Sequence, residues 1–170
     1  MHVVLYDDCF RYFLEQGYTT WPEDWNAKPG VSKMHGCYNS IGLWFVQGVA
    51  GISVDASDEL LPLTIRAGVD AGDITWAKGS RFAIGGEARS EWSLGPNGLE
   101  HNVVIPGNVA ARVMIPADDV DDVKEGGHPA ASAEGVTLQG AEQINRIHYI
   151  VFHVASGVYV FTSPYQRRQL

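Results

Sequence analysis

Within residues 19–26, TTWPEDWN, two tryptophans, Trp21 and Trp25, bracket two carboxylates, Glu23 and Asp24. An aromatic ring offers a broad apolar face at low conformational cost, the kind of surface on which a sugar ring stacks. A carboxylate beside it can donate or accept a proton. The same residues also fit a structural role. Thr20-Trp21-Pro22-Glu23 matches the capping box S/T-x-x-E, in which Glu23 returns a hydrogen bond to the Thr20 backbone. Proline is tolerated in that first turn, and the tryptophans would then be core or interface aromatics.

Whichever role holds, two helical stretches must position these residues. In VVLYDDCFRYFLEQG, Leu5, Cys9, Phe10, Phe13 and Leu14 fall on one helix face. Gly17 then stops the helix as a left-handed C-cap. In SKMHGCYNSIGLWFVQGVAGI, Met34, Cys37, Tyr38, Ile41, Trp44, Phe45, Gly48 and Ile52 recur at three and four. Gly36, Gly42, Gly48 and Gly51 are costly inside a helix and suit close approach of another backbone. Residues 1–55 therefore read as a helical segment. Two helices this apolar do not make a domain. They pack on the rest of the chain, on another copy, or on helices this chain does not carry.

Residues 56–170 change pattern. LPLTIRAGV, DITWAKGSRFAIGG, EARSEWSL, LEHNVVIP, AARVMIP, RIHYIVFHV and GVYVFTS are short runs rich in Val, Ile, Thr and aromatics, separated by GG, GPNG, PGN and ASG turn signals. Some seven such runs predict an antiparallel β-sandwich, making the chain mainly β. DDVDDVKEGGHPAASAEG reads as an exposed loop between strands. Its acids lack the alternating spacing of an EF-hand.

The 170 residues suffice for one domain with a core, or one domain plus a fragment of another. The net charge of −8 disfavours nucleic acid and anionic membranes as partners. Arg167-Arg168 is too short a basic cluster to change that. Cys9 and Cys37 lie outside any CxxC motif and read as buried free thiols. His2, His101, His128, His148 and His153 show no metal-ligand spacing. No glycine-rich nucleotide loop or G-x-S-x-G appears, so no cofactor or metal is expected. The first residues show neither a signal peptide nor a membrane span, which fits the cytoplasm; a secreted parent without disulfides fits the cysteine count as well.

Taken in order, these pieces resemble the C-terminal end of bacterial α-L-rhamnosidases of glycoside hydrolase family 78. GYTTWPEDW is similar to the Gly-x-Thr-Thr-x-Trp-Glu motif that closes the family's (α/α)6 catalytic barrel. HGCYNSIGLWFVQGVAGI is similar to the His-containing helix that follows. LTIRAGV, ITWAKG, EARSEWSL, VVIPGN, ARVMIP, VKEGGHP and SGVYVFTSP follow the family's C-terminal β-sandwich in sequence order.

The resemblance implies that residues 1–55 end a toroid-like catalytic domain and that 56–170 form its C-terminal sandwich. It implies inverting hydrolysis of terminal α-L-rhamnosides in the parent enzyme. Glu23 would hold the place of the general base. Because Pro22 intervenes between Trp21 and Glu23, Asp24 is the alternate. Trp21, Trp25 and His35 would contact the sugar. Inversion needs two carboxyl groups roughly 6.5–9.5 Å apart, and the general acid would lie in the barrel before Met1. The isolated chain is therefore expected to be inactive. The alternative is a stand-alone β-sandwich protein derived from such an enzyme, binding rhamnose-containing glycans or self-associating through its helical segment.

Overall fold

A computed structural model describes residues 11–20, 22–24, 29–34, 36–55, 57, 61–83 and 85–167. They fall into two compact units, Met1–Trp44 and Phe45–Leu170.

In the first unit, α1 (Arg11–Glu15) is followed by Gly17 at φ 76°, the left-handed stop its sequence predicts. Phe13 is buried, and its ring meets Tyr12 and Tyr18 edge-on at centroid distances of 5.7 and 6.0 Å. The second helix, α2 (Gly36–Trp44), is shorter than the pattern suggests: Ser32 and Met34 precede it as irregular backbone. A Cβ added at Gly36 or Gly42 would meet nothing within 4 Å, so these two glycines do not admit a close neighbour. Leu43 and Trp44 remain about half exposed.

The second unit opens on a π-helical turn, Phe45–Val49. Gly51, at φ 81°, then swings the backbone into β1 (Ile52–Val54). Ile52, which continues the helical periodicity, is thus a strand residue, because pairing with β2 (Leu63–Arg66) outweighs the local pattern. Here the expected close approach is real. A Cβ on Gly51 would sit 1.8 Å from the Arg66 carbonyl oxygen. The carbonyls left open at the end of the helical turn are taken up by the sandwich. Trp92 Nε1 donates to Val49 O at 2.8 Å, Ser90 Oγ to Ala50 O at 2.6 Å, and the Arg66 N–H to Gly51 O at 2.9 Å.

The remaining strands are β3 (Trp76–Ala83), β4 (Gly86–Gly95), β5 (Gly98–Ile105), β6 (Ala111–Pro116), β7 (Lys124–Glu125), β8 (His128–Pro129), β9 (Val136–Ile144), β10 (Ile147–Val154) and β11 (Gly157–Ser163). They form two sheets, β1-β2-β6-β10-β9 and β3-β4-β5-β11-β7-β8. The mainly β sandwich is as expected, except that β2 and β6 pair in parallel. In β4, Ala88, Ser90 and Trp92 point inward and Arg89, Glu91 and Ser93 outward, the period-2 pattern of a half-buried strand. The core joins Leu63, Ile65, Val113, Ile115 and Phe152 of one sheet to Trp92, Leu99, Val103 and Phe161 of the other.

Residues 118–135 are not the plain exposed loop their composition suggests. They fold into two 3-10 turns, Val120–Asp122 and Ala130–Ser132, and the β7–β8 hairpin. Val123 and Ala130 within them are fully buried, and this anchoring orders the segment.

Candidate functional site

Glu23 lies in the loop between α1 and α2, and hydrogen bonds at Glu23 itself and at Thr20 tie this loop down. The Glu23 N–H donates to Ser32 O at 2.9 Å, and the Thr20 hydroxyl donates to the Lys33 carbonyl. Ser32 in turn donates its hydroxyl to Met34 O at 2.8 Å and accepts the Met34 N–H at 3.3 Å. Lys33 Nζ stands 5.5 Å from the centroid of the Tyr18 ring, which packs on Phe13 of α1. Pro22 is buried. The chain of contacts from Phe13 through Tyr18 and Lys33 thus braces the segment that carries Glu23.

The capping box is not realised. Residues 22–24 are bend and coil, with no helix start for Thr20 and Glu23 to cap, and the Thr20 hydroxyl is directed to Lys33. What results is an exposed Glu23 carboxylate beside a half-buried Asp24. An exposed carboxylate on a braced backbone can accept a proton from water. Consecutive residues, with Cα atoms about 3.8 Å apart, do not bracket a sugar ring from opposite faces. Trp21, Trp25 and His35 lie outside the described residues.

In the second unit, a polar network crosses the outer side of the β1-β2-β6-β10-β9 sheet. Arg66 Nη1 reaches Tyr149 Oη at 3.1 Å and Asp70 Oδ2 at 3.4 Å, while Asn145 Nδ2 donates to the same Asp70 oxygen at 2.9 Å. Burial works to raise the Asp70 carboxyl, but the hydrogen bond from Asn145 and the charge of Arg66 outweigh it and hold it below its usual value. Burial pushes the Tyr149 phenol up to about 12, against the pull of Arg66. Of these residues, Asp70 and Asn145 border an open cleft that also includes His148 and Arg167. Two of its polar groups are engaged with backbone: His148 Nδ1 lies 2.7 Å from Ala117 O, and Arg167 donates to Val69 O and Ile74 O. The network therefore braces the sheet. Sequence reasoning did not find it, because Arg66 and Tyr149 stand 83 positions apart with no local signal. Among the described residues, no three His, Cys, Asp or Glu side chains converge as a metal site.

Residues 64–129 match the family model of the bacterial alpha-L-rhamnosidase C-terminal domain. An alpha-L-rhamnosidase of Formosa agariphila is 27% identical over 137 residues, covering 73% of this chain and 14% of that protein. One from Streptomyces avermitilis is 27% identical over 161 residues, covering 89% of this chain and 14% of its own length. Two solved structures share the fold at a TM-score of 0.63: the alpha-L-rhamnosidase from Dictyoglumus thermophilum, at 27% identity over 91% of this chain and 17% of that one, and the Streptomyces avermitilis enzyme complexed with L-rhamnose, at 26% identity over 89% and 14%. The chain thus spans 14% of the length of the curated relatives it matches.

Proposed function

From the correspondence of this chain with the C-terminal part of bacterial α-L-rhamnosidases, we propose that it carries the base half of a rhamnoside-hydrolysing site on its helical segment, and that the sandwich has a supporting role. The observation that carries this reading is the extent of the similarity. The second unit begins at Phe45, yet the Streptomyces match covers 89% of the chain, more than that unit alone can supply. It therefore reaches into the residues that include the Glu23 loop.

In this reading Glu23 takes a proton from water as the water attacks the anomeric carbon. A carboxylic acid on the opposite sugar face protonates the leaving oxygen. That acid comes from a polypeptide portion outside these 170 residues. The isolated chain is accordingly expected to show no turnover of an aryl α-L-rhamnoside. Fusing it to the barrel portion of the Streptomyces avermitilis relative should restore turnover. In that chimera Glu23→Gln is expected to lower kcat by about 10²–10⁴-fold, the usual contribution of a general base, with Asp24→Asn far milder. Full activity in the Glu23→Gln chimera would refute the assignment.

A second reading, self-association of the isolated chain, is favoured by one observation. Tyr12, Met34, Leu43 and Trp44, all in the first unit, are 43–65% exposed. Exposed apolar residues of this size on a small helical unit suit a surface that is covered in use. Light scattering of the isolated chain is expected to give at least twice the monomer mass at micromolar concentration, reverting to the monomer in Leu43→Glu/Trp44→Glu.

A further inference from the structure

Two tryptophans of the sandwich have opposite fates. Trp92 is buried at 1% exposure, whereas Trp76, on edge strand β3, is 68% exposed. Strand register fixes what stands beside it. Trp76 faces Ser93, Ser93 faces Glu100, Glu100 faces Thr162, and Thr162 faces Lys124. Because side chains alternate across a sheet, all five project from the outer face. They form one row across five strands, roughly 19 Å long at the usual strand spacing. An indole ring begins it, and hydroxyl, carboxylate, hydroxyl and ammonium groups follow.

The row is also braced. Asn102 Nδ2 donates to Glu100 Oε1 at 3.4 Å, and in the adjoining row Lys78 Nζ pairs with Glu91 Oε2 at 2.8 Å. The charges on this face balance: Lys78, Arg89 and Lys124 against Glu87, Glu91 and Glu100. A face without net positive charge is poorly matched to a phosphate backbone. The row itself is polar beyond its first residue, and the apolar side chains of this face, Val104, Val158 and Val160, stand in the rows beside it. An exposed aromatic ring with donors and acceptors in line suits a ligand that is neutral, has apolar ring faces and carries hydroxyls along its length.

We propose that the outer face of β3, β4, β5, β11 and β7 is a binding platform for a neutral glycan, with Trp76 stacking on a sugar ring and Ser93, Glu100, Thr162 and Lys124 holding hydroxyls. The platform stands on its own geometry. Only the choice of rhamnose as the sugar rests on the function proposed above.

Affinity electrophoresis of the full chain tests it, through gels containing rhamnan or xylan, neutral polymers with and without L-rhamnose. At least one polymer should retard the wild-type chain. Trp76→Ala should weaken that retardation about tenfold or more, and Glu100→Ala severalfold. Trp76→Tyr should retain it. Phe82→Ala should match wild type, since Phe82 is 81% exposed on the same strand but roughly 20 Å away. Retardation by xylan alone supports the platform and counts against rhamnose as its sugar. No retardation by either polymer overturns the platform and leaves the Glu23 assignment standing. Equal retardation of wild type and Trp76→Ala also overturns it.

Discussion

Gly51→Ala is expected to destabilise the sandwich by about 2–5 kcal/mol, the sum of backbone strain and a forced displacement. The strain arises because Gly51 sits at φ 81°. The displacement arises because the new Cβ would lie 1.8 Å from Arg66 O and 2.5 Å from Arg66 C, and both are backbone atoms that cannot rotate aside. Relieving the contact pulls β1 from β2 and stretches the 2.9 Å bond from the Arg66 N–H to Gly51 O. It also disturbs the carbonyls of Val49 and Ala50 held by Trp92 and Ser90. Gly72→Ala isolates the strain term. Gly72 has φ 67°, but a Cβ there meets nothing within 4 Å, so about 1–2 kcal/mol is expected. Urea unfolding of the two variants should separate them clearly; equal losses would show that the close approach at Gly51 costs nothing.

Acid should weaken the sandwich well above the carboxylate range, through His101. This side chain has no exposed surface, and its Nε2 lies 2.8 Å from Ser90 Oγ. Ser90 donates its proton to Ala50 O, so it accepts one from His101 Nε2–H. Nδ1 is then a bare acceptor, with no partner among the described residues. A second proton would place a buried charge there with nothing to receive it, and burial holds the imidazole down to about 3. In the unfolded chain the ring takes its proton near 6.5. Below that pH the unfolded state binds more protons, so stability falls as pH falls and is fully present only above it. The expected loss is about 2 kcal/mol between pH 7.5 and 5. It approaches about 4–5 kcal/mol near pH 3. Urea unfolding at stepped pH values is the measurement. His101→Gln, which keeps a neutral donor toward Ser90, should flatten the profile between pH 7 and 5. An unchanged slope in that variant would place the acid lability elsewhere.

The sandwich was legible wherever a strand has one wet and one dry face. β4 announces itself in EARSEWSL, because Ala88 and Trp92 alternate with Arg89 and Glu91. The resemblance to the C-terminal part of bacterial α-L-rhamnosidases, carried by the motif order, is borne out by the matches in sequence and fold. What escaped detection lacks that contrast. Along β9 residues 137–143 are all exposed, so neither face selects hydrophobics and no alternation is written into VTLQGAEQI. β1 was hidden in a helical repeat, and only Gly51 marks where tertiary pairing takes over. In the loop 19–34, Glu23 was recognisable as a carboxylate among aromatics. Its bracing by Ser32 and Lys33 was not, since Thr20 and Lys33 meet across thirteen residues with no periodic signal. The Ser90–His101 pair escaped for a similar reason: it spans two strands, β4 and β5, and is visible only once their register is known.

The parallel pairing of β2 with β6 also sets an order of assembly. Parallel neighbours cannot be joined by a tight turn, and here the connection contains all of β3, β4 and β5. Those three strands form a local antiparallel meander, with neighbouring pairs linked by short turns. Loop-closure entropy favours the meander over the distant β2–β6 contact. The β3–β4–β5 meander is therefore expected to form before the β2–β6 pairing that ties β1 into its sheet, and closing that long connection slows the folding of the sandwich.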